Sequence, residues 1–242
     1  MYHFDWSVLW GESGIRMLDG LYVTVKLVSL TLAFALCIGL VVGTARWLGK
    51  WYIEPVCWVY IESARNTPPL VQILFWYFSA SYLLPQSIFM YMRNTGYEFT
   101  AAVVALSIYH GAFVAETIRA GLNSVSQGQI QAARALGLNF GQRMVHVILP
   151  QALRVSVPPI VNEMVGATKN TSLAMAIGVT EIAYQTKYIE TYNFRGVEAL
   201  VGATALYLFV CLAITAIAPV ANKLLSRHML PARPLPQPLL SE

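Results

Sequence analysis

The sequence predicts an all-α, polytopic membrane bundle of about five transmembrane helices. Two observations are compositional. Of the 242 residues, 57% are hydrophobic and only 12% are charged, roughly half the charged share of an ordinary soluble domain. The third is arrangement: the apolar residues gather into runs that, at about 1.5 Å per helical residue, can cross a hydrocarbon core of about 30 Å.

The first run is 21–45. The second, 56–84, contains Pro68 and Pro69 and predicts one long helix kinked there. The third is 99–122. The fourth, from 155 to about 184, is the least regular, with Pro158, Pro159 and several polar residues inside it. If it breaks into two short crossings, the number of spans rises to six. The fifth, 197–225, is the cleanest. Residues 1–228 thus read as one transmembrane domain, and 229–242, with four prolines, as an extended or disordered cytoplasmic tail. The first ten residues carry Asp5 and no basic cluster, so no cleavable signal is expected.

Basic residues set the orientation. With the N-terminus outside, the inner face receives Arg46, Lys50, Arg119, Arg134, Arg143, Arg154, Lys223, Arg227 and Arg233. The outer face receives only Arg16, Arg93, Lys187 and Arg195. The net charge of +4 is therefore a topology signal rather than a nucleic-acid footprint. Trp47, Trp51, Tyr52, Trp58 and Tyr60 on the inner side, and Tyr82, Tyr91 and Tyr97 on the outer, read as aromatic belts. Cys37, Cys57 and Cys211 sit in apolar segments and read as small buried hydrophobes. Neither metal-ligand spacing nor a nucleophile–base pair stands out, so no catalytic or metal residue is expected.

Between spans three and four lies a polar segment, 126–150, ending in QAARALGLNFGQRMVHVILP. Ser126 with Gln129, and Asn139 with Gln142, have the spacing of capping boxes. Gly137 suits the left-handed residue that closes a helix, with Leu138 as its apolar contact. Two short helices follow, 127–136 and 140–149, the second with Met144, Val147 and Ile148 as its apolar face and separated from the next span by Pro150. Small residues (Ala132, Ala133, Ala135) leave a low ridge that another protein can approach. On these residues alone, a docking element and an amphipathic connector resting on lipid headgroups are equally good readings.

Inside the membrane, ionisable residues are functional candidates. The fourth run holds Asn162, Glu163, Lys169 and Asn170. From Val155, Glu163 lies about 12 Å and Lys169 about 21 Å into the span, bracketing its middle. An amino acid needs an anion for its ammonium and a cation for its carboxylate, and these two residues offer both. Alternatively they pair with other spans and only lock the bundle. Arg65, Glu62 and Glu116 are further candidates, and Arg65 can equally form a salt bridge to Glu62 or Glu116. Lys26 reads as snorkelling, and Glu181 as a gate or surface residue near the outer end.

The polar segment resembles the Glu-Ala-Ala loop of ABC importer permeases. Gln131, Ala132, Ala133, Gly137, Leu149 and Pro150 fall in its register, with Val147 at its isoleucine position and Gln131 in place of glutamate. YIESARNTPPLVQILFWY, AFVAETIRAGLNSVSQGQ and PPIVNEMVGATKNTSLAMAIGVTEI also resemble permeases of the polar amino acid uptake family, with glutamate/aspartate permeases the nearest likeness. The resemblance covers nearly the whole chain. It implies a multi-pass permease subunit in the bacterial inner membrane for glutamate/aspartate or glutamine, working by alternating access. It implies that Gln131, Ala132, Ala133, Gly137, Val147, Leu149 and Pro150 form a coupling helix gripped by an ATP-binding-cassette ATPase dimer. A second permease, identical or homologous, and a periplasmic or extracellular solute-binding protein complete the assembly. No phosphate-binding GxxxxGK[ST] loop is present, so ATP and Mg2+ are expected on the partner ATPase. The alternatives are a permease for basic amino acids, an ion-coupled carrier, which predicts internal repeats that are not evident here, and a non-transporting scaffold or sensor.

Overall fold

Glycine spacing sets the central contact of the fold. Gly39 and Gly43 lie one turn apart on α1 (Glu12–Trp47), and the Val114 side chain and Ala115 backbone on α5 (Tyr97–Asn123) press against them. A Cβ on Gly43 would overlap the Ala115 carbonyl. This is small-residue packing, which lets helices approach where the lipid supplies no hydrophobic drive. α5 is the most enclosed element and runs through the middle of the bundle.

In this computed structural model, residues 3–217 and 219 are described, and among them the regular structure is helical. Four stretches are long and apolar enough to span a bilayer: Glu12–Trp47, Tyr97–Asn123, Phe140–Ile177 and Gly196–Thr215. The last is α10, the first described part of the expected fifth run. Lys223, Arg227, Arg233 and the proline-rich tail lie outside the described residues.

The second run departs from expectation. It is not one kinked helix but two, α2 (Glu54–Asn66) and α3 (Pro69–Leu83). Their 13 and 15 residues give about 20 and 22 Å, too short for either to span alone. Two consecutive prolines remove two N–H donors, Thr67 and Pro68 turn extended, and Pro69 restarts a helix at its first position. The carbonyls freed at the break are not abandoned. The buried Gln72 amide donates to Ala64 O at 2.7 Å and Thr67 O at 3.2 Å. A short α4 (Gln86–Asn94) leads into α5.

The polar segment forms as expected in its first half. α6 (Gln127–Ala135) starts at Ser126, whose hydroxyl accepts from Gln129 N; of the reciprocal pair only this half is formed. It ends in a Schellman motif: Gly137 has φ +79°, Gly137 N donates to Arg134 O, and Leu138 N donates to Ala133 O. Asn139 and Gln142 complete a full capping box on α7 (Phe140–Arg143). The expected break at Pro150 does not occur. A π-helical turn, Met144–Ile148, continues into α8 (Leu149–Asn170), and Pro150 sits in the first turn of that helix. A proline lacks only one N–H, and the wider π turn takes up the register where that bond is missing. Met144 and Ile148 do face inward, packing with Trp47 and Ile130.

α8 also passes through Pro158 and Pro159 and continues as a 3-10 segment, Thr171–Ile177, before Gly178 (φ +91°) breaks it. α9 (Ile182–Asn193) then packs on α1 and α10 at the far end. The two ends of the bundle are distinct. One carries Trp47 and the α6–α7 segment. The other carries the N-terminal 3-10 turn Trp6–Trp10, where Asp5 N donates to Glu198, and the Asn193–Ser13 bond. Bonds from the Ser7 hydroxyl and N–H hold the Asp5 carboxyl below its usual range. Of the residues read as belts, Tyr60 instead donates to Ile108 O at 2.8 Å, tying α2 to α5. Cys57 is buried as expected, whereas Cys37 is exposed.

Candidate functional site

The break between α2 and α3 leaves Arg65 near a helix end, facing α5 and α8. There it lines a cavity of about 350 Å³ with Phe113, Glu116, Thr117, Asn162 and Glu163. The Arg65 guanidinium lies over the Phe113 ring, 5.2 Å from its centre. Among the described residues it forms no salt bridge to Glu62 or Glu116. Glu62 lies away from the cavity and accepts from the Asn66 amide at 3.0 Å.

Glu116 is committed elsewhere. Its carboxylate meets Arg46 Nη1 at 2.8 Å and also pairs with Arg119, and Arg46 continues to Glu54 at 3.1 Å. This network ties α1, α2 and α5 together and leaves Glu116 little capacity for a ligand.

Glu163 meets a partner that sequence reading passed over. His110, on α5 and essentially inaccessible, places Nδ1 2.6 Å from Glu163 Oε1. Its Nε2 lies 3.3 Å from Asn170 Nδ2. Glu163 and Asn170, seven apart on α8, therefore share a face. The four histidines look isolated in sequence, but an ionisable ring inside an apolar span is itself a signal.

Lys169 does not join Glu163. It lines a separate cavity of about 490 Å³ with Val165, Ser172, Thr204, Tyr207, Leu208 and Cys211. Six residues advance a helix by about 600°, which leaves the two side chains about 120° apart. The idea that they clasp one substrate within a single cavity does not fit this geometry. Glu181 is not a surface residue: fully buried, it caps α9 through Tyr184 N at 2.9 Å and accepts from the Tyr207 hydroxyl. Lys26 lies over the Phe99 ring, 5.0 Å from its centre.

At the Trp47 end of the bundle, Gln131, Ala132 and Gly137 are exposed, Ala133 is buried, Val147 and Pro150 are half-buried, and Leu149 is exposed. Leu136 and Phe140 at the hinge, and Val145 beyond it, are exposed large apolar side chains (Leu136 at 81%). Together they make an exposed apolar patch at the hinge.

Residues 35–231 match the family described as the binding-protein-dependent transport system inner membrane component. The chain is 38% identical over 212 residues to the glutamine transport system permease protein GlnP of Escherichia coli, covering 88% of this chain and 93% of that one. It is 35% identical over 188 residues to the glutamate transport system permease protein GluC of Corynebacterium glutamicum, covering 75% and 81%. Among solved structures, an amino acid ABC transporter crystallised with histidines superposes with a TM-score of 0.79 at 29% identity, covering 92% of this chain and 99% of that one. On sequence and on fold, the chain belongs to the inner membrane components of binding-protein-dependent transport systems, the permease subunits of ABC importers.

Proposed function

We propose that this permease passes a zwitterionic amino acid with a neutral polar side chain, glutamine first among them, through the cavity between α2, α5 and α8. The carrying observation is that Arg65 and Glu163 line one cavity while Glu116 is taken by Arg46 and Arg119. One cation and one anion remain to face a substrate. They match an α-carboxylate and an α-ammonium, and Asn162 adds an amide. A glutamate side chain would need a second free cation, and an arginine side chain a second free acid. The likeness to a glutamine permease supports the same choice.

The energy comes from a separate ATPase dimer that holds ATP and Mg2+ and grips the 126–150 segment on the cytoplasmic side. The exposed Leu136 and Phe140 support this reading. Because the π turn joins that segment to α8 without a break, a push on Phe140 is carried to Glu163 along one helix. A second permease subunit and a solute-binding protein on the outer side complete the path. The excess of basic residues on one face supports an outside N-terminus and an inner-membrane location.

The test is uptake into proteoliposomes by the assembled transporter. Glu163→Gln and Arg65→Gln should each lower glutamine uptake about tenfold or more, since each leaves one substrate charge unpaired. Unchanged uptake in Glu163→Gln places the path elsewhere. Preference for glutamate over glutamine overturns the charge argument. Accumulation without the ATPase favours an ion-coupled carrier.

A further inference from the structure

His110 is the most enclosed titratable group facing this cavity wall, and transport as described above gives it no task. Both its ring nitrogens are engaged. The Asn170 amide nitrogen lies 3.3 Å from Nε2, a contact that the tautomer bare at Nε2 and protonated at Nδ1 satisfies. That N–H donates to Glu163 Oε1. In that tautomer Glu163 Oε1 accepts, and its second oxygen is left for the cavity that Glu163 lines. On the same helix, Tyr109 meets the His110 ring edge-on at 5.0 Å and Phe113 at 5.1 Å. Phe113 in turn carries Arg65. One stretch of α5 therefore holds the anion by its imidazole and the cation by its aromatic face.

We propose that His110 and Phe113 are positioning residues that hold Glu163 and Arg65 charged but apart, so that a zwitterion rather than the opposite side chain bridges them. This rests on the reading of the cavity as the substrate path. Opposite charges sharing a low-dielectric cavity attract strongly and would otherwise neutralise one another. A charge-assisted hydrogen bond on one side and a cation–π contact on the other give each charge a partner that does not discharge it. Asn170, expected to touch substrate, acts instead through the imidazole.

Two measurements test this on the assembled transporter. Isotope-labelled histidine in the wild-type permease reports the ring tautomer by nitrogen NMR, and four histidines in the chain keep the spectrum tractable. The expected signal is one imidazole protonated at Nδ1 and bare at Nε2, lost in His110→Phe. A His110 ring protonated only at Nε2, identified as the signal that His110→Phe removes, overturns the proposal. The second readout is glutamine uptake per ATP hydrolysed. His110→Phe should lower that ratio about tenfold while ATP hydrolysis stimulated by the binding protein persists, and His110→Asn, which keeps an N–H, should restore it to within about threefold. A fall in uptake and hydrolysis together, equal in both variants, means His110 only packs the bundle and overturns the proposal. If Glu163→Gln transports normally, the path itself is misassigned. If Glu163→Gln fails and His110→Phe keeps its ratio, the path stands and the positioning role alone is wrong.

Discussion

The side-chain amide of Gln72 donates at 2.7 Å to the carbonyl of Ala64, reaching back from α3 across the proline break to the last turn of α2. One buried side chain thus replaces part of what Pro68 and Pro69 remove. Gln72→Leu keeps the volume and deletes the donor, leaving carbonyls unpaired at membrane depth. It should lower stability by about 0.5–2 kcal/mol, the range measured for hydrogen bonds inside membrane proteins. Thermal unfolding of the purified permease in detergent checks this. A Tm equal to wild type would mean that lipid or detergent leaves water to satisfy Ala64.

Gly137 offers a cleaner separation of folding from coupling. Its φ of +79° lies in the left-handed region, and open space surrounds the position where a Cβ would go. Alanine there costs only backbone strain, about 1–2 kcal/mol. Proline, fixed near −65°, cannot adopt the conformation at all and also loses the bond from Gly137 N to Arg134 O. Gly137→Ala should weaken ATPase association modestly, and Gly137→Pro should abolish it with insertion intact. Co-purification of the ATPase with tagged permease measures both. Full association in the proline variant would make the segment a connector rather than a docking element.

That segment is also where the sequence was most legible. A Schellman motif and a capping box are made by residues within six positions of one another, so Gly137, Asn139 and Gln142 announce them without knowledge of the fold. The spans followed from length and apolarity, which the bilayer imposes. The misses are non-local or rotational. Gln72 acts on a carbonyl eight residues away across a break whose geometry the sequence does not state. His110 and Glu163 are separated by 53 positions, and nothing in either neighbourhood names the other. Glu163 and Lys169 bracket the middle of the span on adjacent stripes of one helix, but which cavity each stripe meets depends on the neighbouring spans. Pro150 reads as punctuation because a proline ordinarily ends a helix, and the π turn that absorbs it here is not announced by the neighbouring residues.

Glu116 separates structural from substrate roles. It bridges Arg46, whose side chain is only 12% accessible, and Arg119. Glu116→Gln keeps shape but leaves two guanidinium groups facing a neutral amide, and should cost about 1–3 kcal/mol of stability. Uptake per folded transporter should stay within about threefold of wild type, a difference of less than a tenfold 1.4 kcal/mol step. Chemical denaturation and uptake normalised to assembled complex give the two numbers. A stable variant that no longer transports would move Glu116 into the substrate path and undo the charge balance on which a neutral side chain was inferred.

Lys169 decides how far the path extends. It opens on a cavity shared with Thr204 and Tyr207 of α10, on a different face of α8 from Glu163. If one subunit's cavity between α2, α5 and α8 suffices to hold the substrate, Lys169→Gln should change uptake by less than about threefold, while Glu163→Gln loses about tenfold or more. The two variants remove charges of opposite sign about two turns apart on one helix, so a general effect on insertion or packing would act on both. If both instead lose uptake equally, with stimulated ATP hydrolysis preserved in each, the substrate touches two cavities in turn. Lys169 would then serve a second station reached as α8 rotates, and the six-residue offset would measure the step between them.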